Sequence, residues 1–228
     1  MNILAVDSSA LTATVAVLKD GEIKGEMSYT TALTHSETVM PMIDEVLKKS
    51  NLTIGDIDLF ACSEGPGSFT GLRIGIGTVK GLAYGLDKKV CGVSTLEALA
   101  YNIAYTDCLI APIMDARRGQ VYNALYKYEN GSLVTVAEPR ALSIEELCEE
   151  ISEKVIFVGD GVKVYNDKIT SLLGENALFA PPQHCLQRAA SVAVASLTKE
   201  AVSPEELSVV YLRKPQAERE REEKLSDN

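Results

Sequence analysis

Tryptophan is absent from the 228 residues, and the only two histidines, His35 and His184, stand far apart in no HxxxH or HExxH pattern. That scarcity argues against a histidine-built metal centre. Clustered lysine and arginine are missing too. The net charge is −10 with no strongly basic window, so the electrostatic footprint of direct, strong RNA binding is lacking. A partner would have to supply positive surface. The five cysteines, at 62, 91, 108, 148 and 185, form no CxxC pair. Cys62, Cys91 and Cys108 lie in or beside apolar runs, where a free thiol behaves as a small core residue. There is no GxSxG nucleophile elbow. No apolar run approaches the ~20 residues of a membrane helix. The start MNILAVDSS has no basic segment, apolar stretch or cleavage site of a secretion signal. The expected setting is the reduced cytoplasm.

What is present reads as an ordinary globular chain, 46 % hydrophobic and 24 % charged. Asn2 to Val6 and the β-branched run Thr12 to Leu18 are strands. Asp20-Gly21 is a hairpin turn, and Glu22 to Tyr29 returns as a third strand. Thr34 and Glu37 have capping-box spacing for a helix reaching Lys49, bent at Pro41. Asp58 to Cys62 is a strand, followed by the loop GPGSFTGLR, residues 65 to 73. The next helix, Leu72 to Leu86, carries Gly77, Gly81 and Gly85 on one face and Leu72, Ile76, Val79 and Ala83 opposite. Each interior glycine costs ~1 kcal/mol against alanine, a cost that close approach of another backbone would explain. Lys89 to Val93 is a strand, and Ser94 to Ala104 a helix capped by Ser94 with Glu97.

The second half repeats the opening. Leu109 to Met114 is a strand, Asp115 to Gly119 a charged turn and Gln120 to Tyr128 the hairpin partner. Asn130-Gly131 turns into a third strand at Leu133 to Val136. Ser143 to Ile151 is a helix, Val155 to Val158 a strand before Gly159-Asp160-Gly161 and a further helix, and Gln187 to Lys199 a helix. Residues 216 to 228 form a charged tail, frayed or disordered.

Two features invite chemistry. Asp7-Ser8-Ser9 at a strand end, before a hairpin, is how actin-like ATPases cradle phosphate and magnesium; by sequence alone a polar turn is the favoured reading. The glycine loop opens a helix, a setting for anions, with Ser68 and Thr70 as caps and Arg73 in the first turn; a capped turn is the plainer reading. It is not a Walker A sequence. The turn at Asp115, Arg117 and Arg118 either lines a cleft or caps a hairpin.

The strings ILAVDSS, HSETVMPMIDEVL, GPGSFTGLRIGIGTVKGLA, GVSTLEALA, APIMDARRGQVY and YLRKPQAER together resemble the TsaB (YeaZ) family of tRNA threonylcarbamoyladenosine biosynthesis subunits. One departure is Gln120, where the family usually has glutamate. The resemblance implies an α/β, actin-like (ASKHA) fold of two related halves with mixed sheets, residues 1–106 and 107–215. It implies a non-catalytic subunit that supports its paralogue TsaD in transferring a threonylcarbamoyl group to adenine N6 beside the tRNA anticodon. TsaD would be the heterodimer partner, with TsaE in a larger complex, tRNA met indirectly and a homodimer when TsaD is absent. The metal-binding histidines of TsaD-like proteins align at Thr95 and Leu99, which cannot replace them, so no catalytic residue and no metal are expected. No cofactor is required by this chain, with ATP or ADP confined to the complex. The implied interface lies on the first two helices, at Val39, Met42, Ile43, Val46, Ile74, Gly77, Thr78, Gly81 and Gly85. Asp7, Ser8, Ser68, Thr70 and Arg73 remain nucleotide or anion contacts. The alternative is an actin-like small-molecule kinase or ATPase using Asp7.

Overall fold

A computed structural model describes residues 1–31 and 33–213; the charged tail at 216–228 lies outside them. The first half contains β1 (Asn2–Asp7), β2 (Thr12–Lys19), β3 (Glu22–Thr30), α1 (His35–Lys49), β4 (Leu59–Gly65), α2 (Phe69–Gly85), β5 (Lys89–Ser94) and α3 (Thr95–Ala100). The second contains β6 (Leu109–Asp115), β7 (Gln120–Glu129), β8 (Ser132–Ser143), α4 (Ile144–Glu149), β9 (Val155–Val158), α5 (Gly161–Leu173) and β10 (Ala177–Phe179). The helix α6 (Ala189–Ser196) follows.

Among the described residues there are two five-stranded sheets, ordered β3-β2-β1-β4-β5 and β8-β7-β6-β9-β10. In each, the hairpin strands pair antiparallel and the later strands join in parallel. The repeated order is the internal duplication that the two strand-plus-hairpin openings foreshadow. β1 and β2 are almost continuously buried because helices cover both sheet faces. On one face α1 and α2 bury Val39, Met42, Ile43, Val46, Ile76, Val79 and Ala83 against Leu4, Val6, Val15 and Phe60. On the other, Ala98 of α3 and Ala189, Val192, Ala193 and Ala195 of α6 cover Ile3, Ala5, Ala16, Cys91 and Val93. α3 also places Leu96, Leu99 and Ala100 against Ile110, Met114 and Tyr126 of the second sheet. It packs against both halves.

Several local expectations change. The Thr34–Glu37 capping box forms, with the Thr34 N–H donating to Glu37 Oε2 at 3.1 Å, and the helix runs through Pro41. α2 begins three residues before Leu72, at Phe69, because Ser68 caps it by accepting from the Gly71 N–H. α3 ends at Ala100 instead of Ala104; Ser94 makes no side-chain cap bond, and Glu97 instead pairs with Lys199 at 2.7 Å. β8 extends from the expected Leu133–Val136 to Ser132–Ser143, and it tolerates Pro139 because it is an edge strand. α6 is shorter than Gln187 to Lys199. β10, only three residues long, carries no pattern that would announce it.

The division at 106/107 falls between α3 and β6, but α6 crosses back to the first sheet, where Glu26 of β3 holds Arg188 and accepts from the Ala190 N–H at 3.0 Å. The first half as so divided therefore depends on residues that fall within the second. A fragment ending at residue 106 leaves Ile3, Ala5, Cys91 and Val93 uncovered. It is expected to bind the dye ANS and to melt without a cooperative transition; a sharp calorimetric peak from that fragment would refute the dependence.

Candidate functional site

The two halves meet around a cleft of about 630 Å³. One wall is the β1–β2 turn and the glycine loop, with Ser9, Gly67, Ser68, Phe69 and Thr70; the other is Met114, Asp115, Ala116, Arg117 and Asp160. Ser68 and Thr70 line it, while Asp7, Ser8 and Arg73 do not. The 115–119 turn serves as a cleft wall, with Arg117 and Arg118 both in the left-handed region at φ 61° and 54°.

Asp7 is 1 % exposed. Its Oδ1 accepts from the Ser9 N–H at 2.8 Å and the Ser9 hydroxyl at 2.6 Å, and its Oδ2 accepts from the Ser63 hydroxyl. Burial pushes the carboxyl above its ordinary 3.8, against the lowering by these bonds. Ser8 donates its hydroxyl to the Gly71 carbonyl at 2.8 Å, and the Ser68 N–H donates to the Ser9 carbonyl at 2.7 Å. A Cβ on Gly67 or Gly71 would overlap the Ser9 or Ser8 carbonyl, and one on Gly75 the Ser8 hydroxyl. The Ser9 and Ser68 amides at this turn are thus bonded within the protein itself. A carboxylate sealed among three donors does not fit magnesium-nucleotide chemistry.

The second half has the corresponding acid, Asp115, at the end of β6. Its Oδ1 accepts from the Arg117 N–H at 2.9 Å and the Tyr165 hydroxyl at 3.3 Å. Burial and then the Asp115 charge push the neighbouring Asp160 carboxyl upward. Thr95 and Leu99 are fully buried core residues. Among the described residues no group of three or more acid, histidine or cysteine side chains is placed to hold a metal. His35 donates its Nε2–H to the Ala10 carbonyl at 2.7 Å. Burial raises the Cys91 thiol to about 11, well away from nucleophilic character; Cys62 is buried as well.

The helix surfaces correct part of the expected interface. Val39, Met42, Ile43 and Val46 face the core of this chain, since the apolar stripe of α1 is what docks it to the sheet, so a partner cannot reach them. Exposed on α1 are Ser36, Glu37, Met40, Pro41, Asp44, Lys48 and Lys49. On α2, Ile74 and Thr78 are half-buried, while Gly77, Gly81 and Gly85 are exposed and a Cβ on any of them would meet nothing within 4 Å. Tyr84, 72 % exposed, stands among them. Sequence reasoning passed over Tyr84 and Met40, although large apolar residues outside the core stripe were the available signal. Arg73 turns away from the cleft and donates its Nε–H to the Tyr211 hydroxyl at 2.9 Å. Ser63, the second holder of Asp7, had no signal beyond its place in β4.

Two outcomes follow from this packing. Gly71→Ala is expected to destabilise the fold and Gly77→Ala to stabilise it by up to ~1 kcal/mol, measured by urea denaturation; equal effects would contradict the assigned faces. Because the folded carboxyl of Asp7 lies above 3.8, its contribution to stability declines as pH rises from 3.8 through the elevated folded value, and is constant above it. Asp7→Asn should remove that decline from the stability–pH curve. An unchanged curve would mean that the group is not buried as a carboxyl.

The family model described as "TsaD: tRNA N6-adenosine threonylcarbamoyltransferase" matches residues 26–221. The Bacillus subtilis tRNA threonylcarbamoyladenosine biosynthesis protein TsaB is 35 % identical over 221 residues, covering 96 % of this chain and 96 % of that protein. The solved structure of YeaZ from Pseudomonas aeruginosa is 27 % identical with a TM-score of 0.77, covering 92 % of this chain and 99 % of that one. Component A of the Acidaminococcus fermentans (R)-2-hydroxyglutaryl-CoA dehydratase, 14 % identical with a TM-score of 0.52, covers 86 % of this chain and 96 % of that one and shares the fold alone. No described helix is long and apolar enough to cross a membrane. With the duplicated sheets of an actin-like fold and matches of this length, the chain belongs to the TsaB (YeaZ) family.

Proposed function

We propose that this chain is a non-catalytic subunit of tRNA threonylcarbamoyladenosine biosynthesis that pairs with TsaD and supports its transfer of a threonylcarbamoyl group to adenine N6. The observation that carries the reading is the outer face of α2. Gly77, Gly81 and Gly85 fall on one side and do no packing work inside the chain, although each weakens the helix. Small residues at that spacing let a second helix approach closely, and the exposed Tyr84 and Met40 offer apolar surface beside them. The same surface would serve a homodimer when TsaD is absent, and TsaE would join the paired subunits.

The chemistry of the cleft supports the absence of catalysis here. Asp7 is sealed by Ser9 and Ser63, and buried Thr95 and Leu99 stand where the catalytic paralogue would carry histidines. The chain needs no cofactor of its own, and ATP or ADP belongs to the assembled complex. The net charge of −10 leaves tRNA binding to the partners, in the cytoplasm. Gly77→Trp or Gly81→Trp is expected to melt like the parent chain and to lose co-purification with TsaD, and omission of this chain should abolish tRNA modification by the remaining subunits. Retained pairing by both variants would overturn the interface. ATP turnover by the purified chain that disappears in Asp7→Ala would overturn the non-catalytic reading.

A further inference from the structure

The strings DARRGQ and YLR have no part in the proposed function, yet the fold joins them. After α6 the chain bridges β5 through Val202 and Val90 and runs along α2, where Lys80 Nζ donates to the Leu207 carbonyl at 2.9 Å. It then crosses the glycine loop. There the Val210 N–H donates to the Glu64 carbonyl at 2.8 Å, and a side chain on Gly65, at φ 128°, would overlap the Val210 carbonyl. Tyr211 stacks on Phe69 with ring centroids 4.7 Å apart and receives the Arg73 hydrogen bond. Two residues later the chain reaches the other half. Arg213 Nη1 donates to the Ala116 carbonyl at 2.8 Å, and Nη2 donates to Gln120 Oε1.

We propose that residues 207 to 213 form a latch that holds the two cleft walls together, coupling the glycine loop to the 115–120 turn. Its contacts fall on both walls, Phe69 on one and Ala116 on the other. The turn it grips has two consecutive non-glycine residues in left-handed conformations, a geometry that persists only when its surroundings hold it. The grip is of moderate strength, because Gln120 offers Arg213 a neutral oxygen in place of a carboxylate. Arg73 and Lys80 tie the same segment to α2, so a displacement of that helix is transmitted to the far wall.

Hydrogen–deuterium exchange on the full chain separates a latch from two unrelated anchors. Arg213→Ala breaks only the contact to the second half, yet it should speed exchange about tenfold both at 115–120 and at 65–72. Tyr211→Ala, at the other end, should speed exchange at 115–120 as well as at 65–72. Gln120→Glu supplies a carboxylate and should slow exchange in both segments, and it keeps the question open to test if the alanine variants fail to fold. Effects confined to the segment nearest each substitution, or a Gln120→Glu chain with unchanged exchange at 65–72, would overturn the latch.

Discussion

The structure turns on one close approach: the glycine loop and the first turns of α2 lie against the backbone at Ser8 and Ser9 and against the Ser8 hydroxyl. Gly67 and Gly71 admit those carbonyls where any other residue would collide, and Gly75 admits the Ser8 hydroxyl. That approach brings Ser68 close enough to donate to the Ser9 carbonyl. It fixes the angle at which α2 leaves the sheet, and with it which side of the helix faces outward. The same contact closes the turn after β1, so Asp7 is spent on holding Ser9 and Ser63. A single constraint thereby fixes both the surroundings of Asp7 and the side of α2 that faces outward.

Duplication makes this plainer by contrast. The end of β6 repeats the end of β1, with Asp115 in the place of Asp7, but the glycines that open α5 approach the strand before that acid, not after it. Gly159 and Gly161 press on the Ile113 carbonyl instead, which leaves Asp115, Arg117 and Asp160 facing the cleft. The halves share a topology and differ at this acid: Asp7 is buried behind the glycine loop, and Asp115 lines the cleft.

Much of this arrangement was legible in the residues. Thr12 to Leu18 and Leu109 to Met114 announce their strands, Thr34 and Glu37 start α1, and the glycine spacing marks the outer face of α2. Two kinds of feature were not. Val39, Met42, Ile43 and Val46 form an apolar stripe, and a stripe looks alike whether it meets its own sheet or another protein; only the fold shows that the sheet has taken it. Long-range pairings leave no local trace either. Ser63 on Asp7, Tyr211 on Phe69 and Arg213 on Gln120 join positions whose proximity depends on the whole topology. Arg73 illustrates the consequence: in sequence it belongs to the glycine loop, and in space to Tyr211.

The return of α6 to the first sheet has a consequence for how the molecule is made. During synthesis the N-terminal sheet emerges first, but the helix that covers Ile3, Ala5, Cys91 and Val93 leaves the ribosome only after the whole second half. At ordinary elongation rates that is a delay on the order of ten seconds. Throughout it an apolar sheet face stands open beside the unpaired edge of β5, the kind of surface that holding chaperones recognise and that sticks to neighbouring nascent chains. Folding therefore finishes on the first half last, and the yield of soluble protein depends on what shelters that face in the meantime.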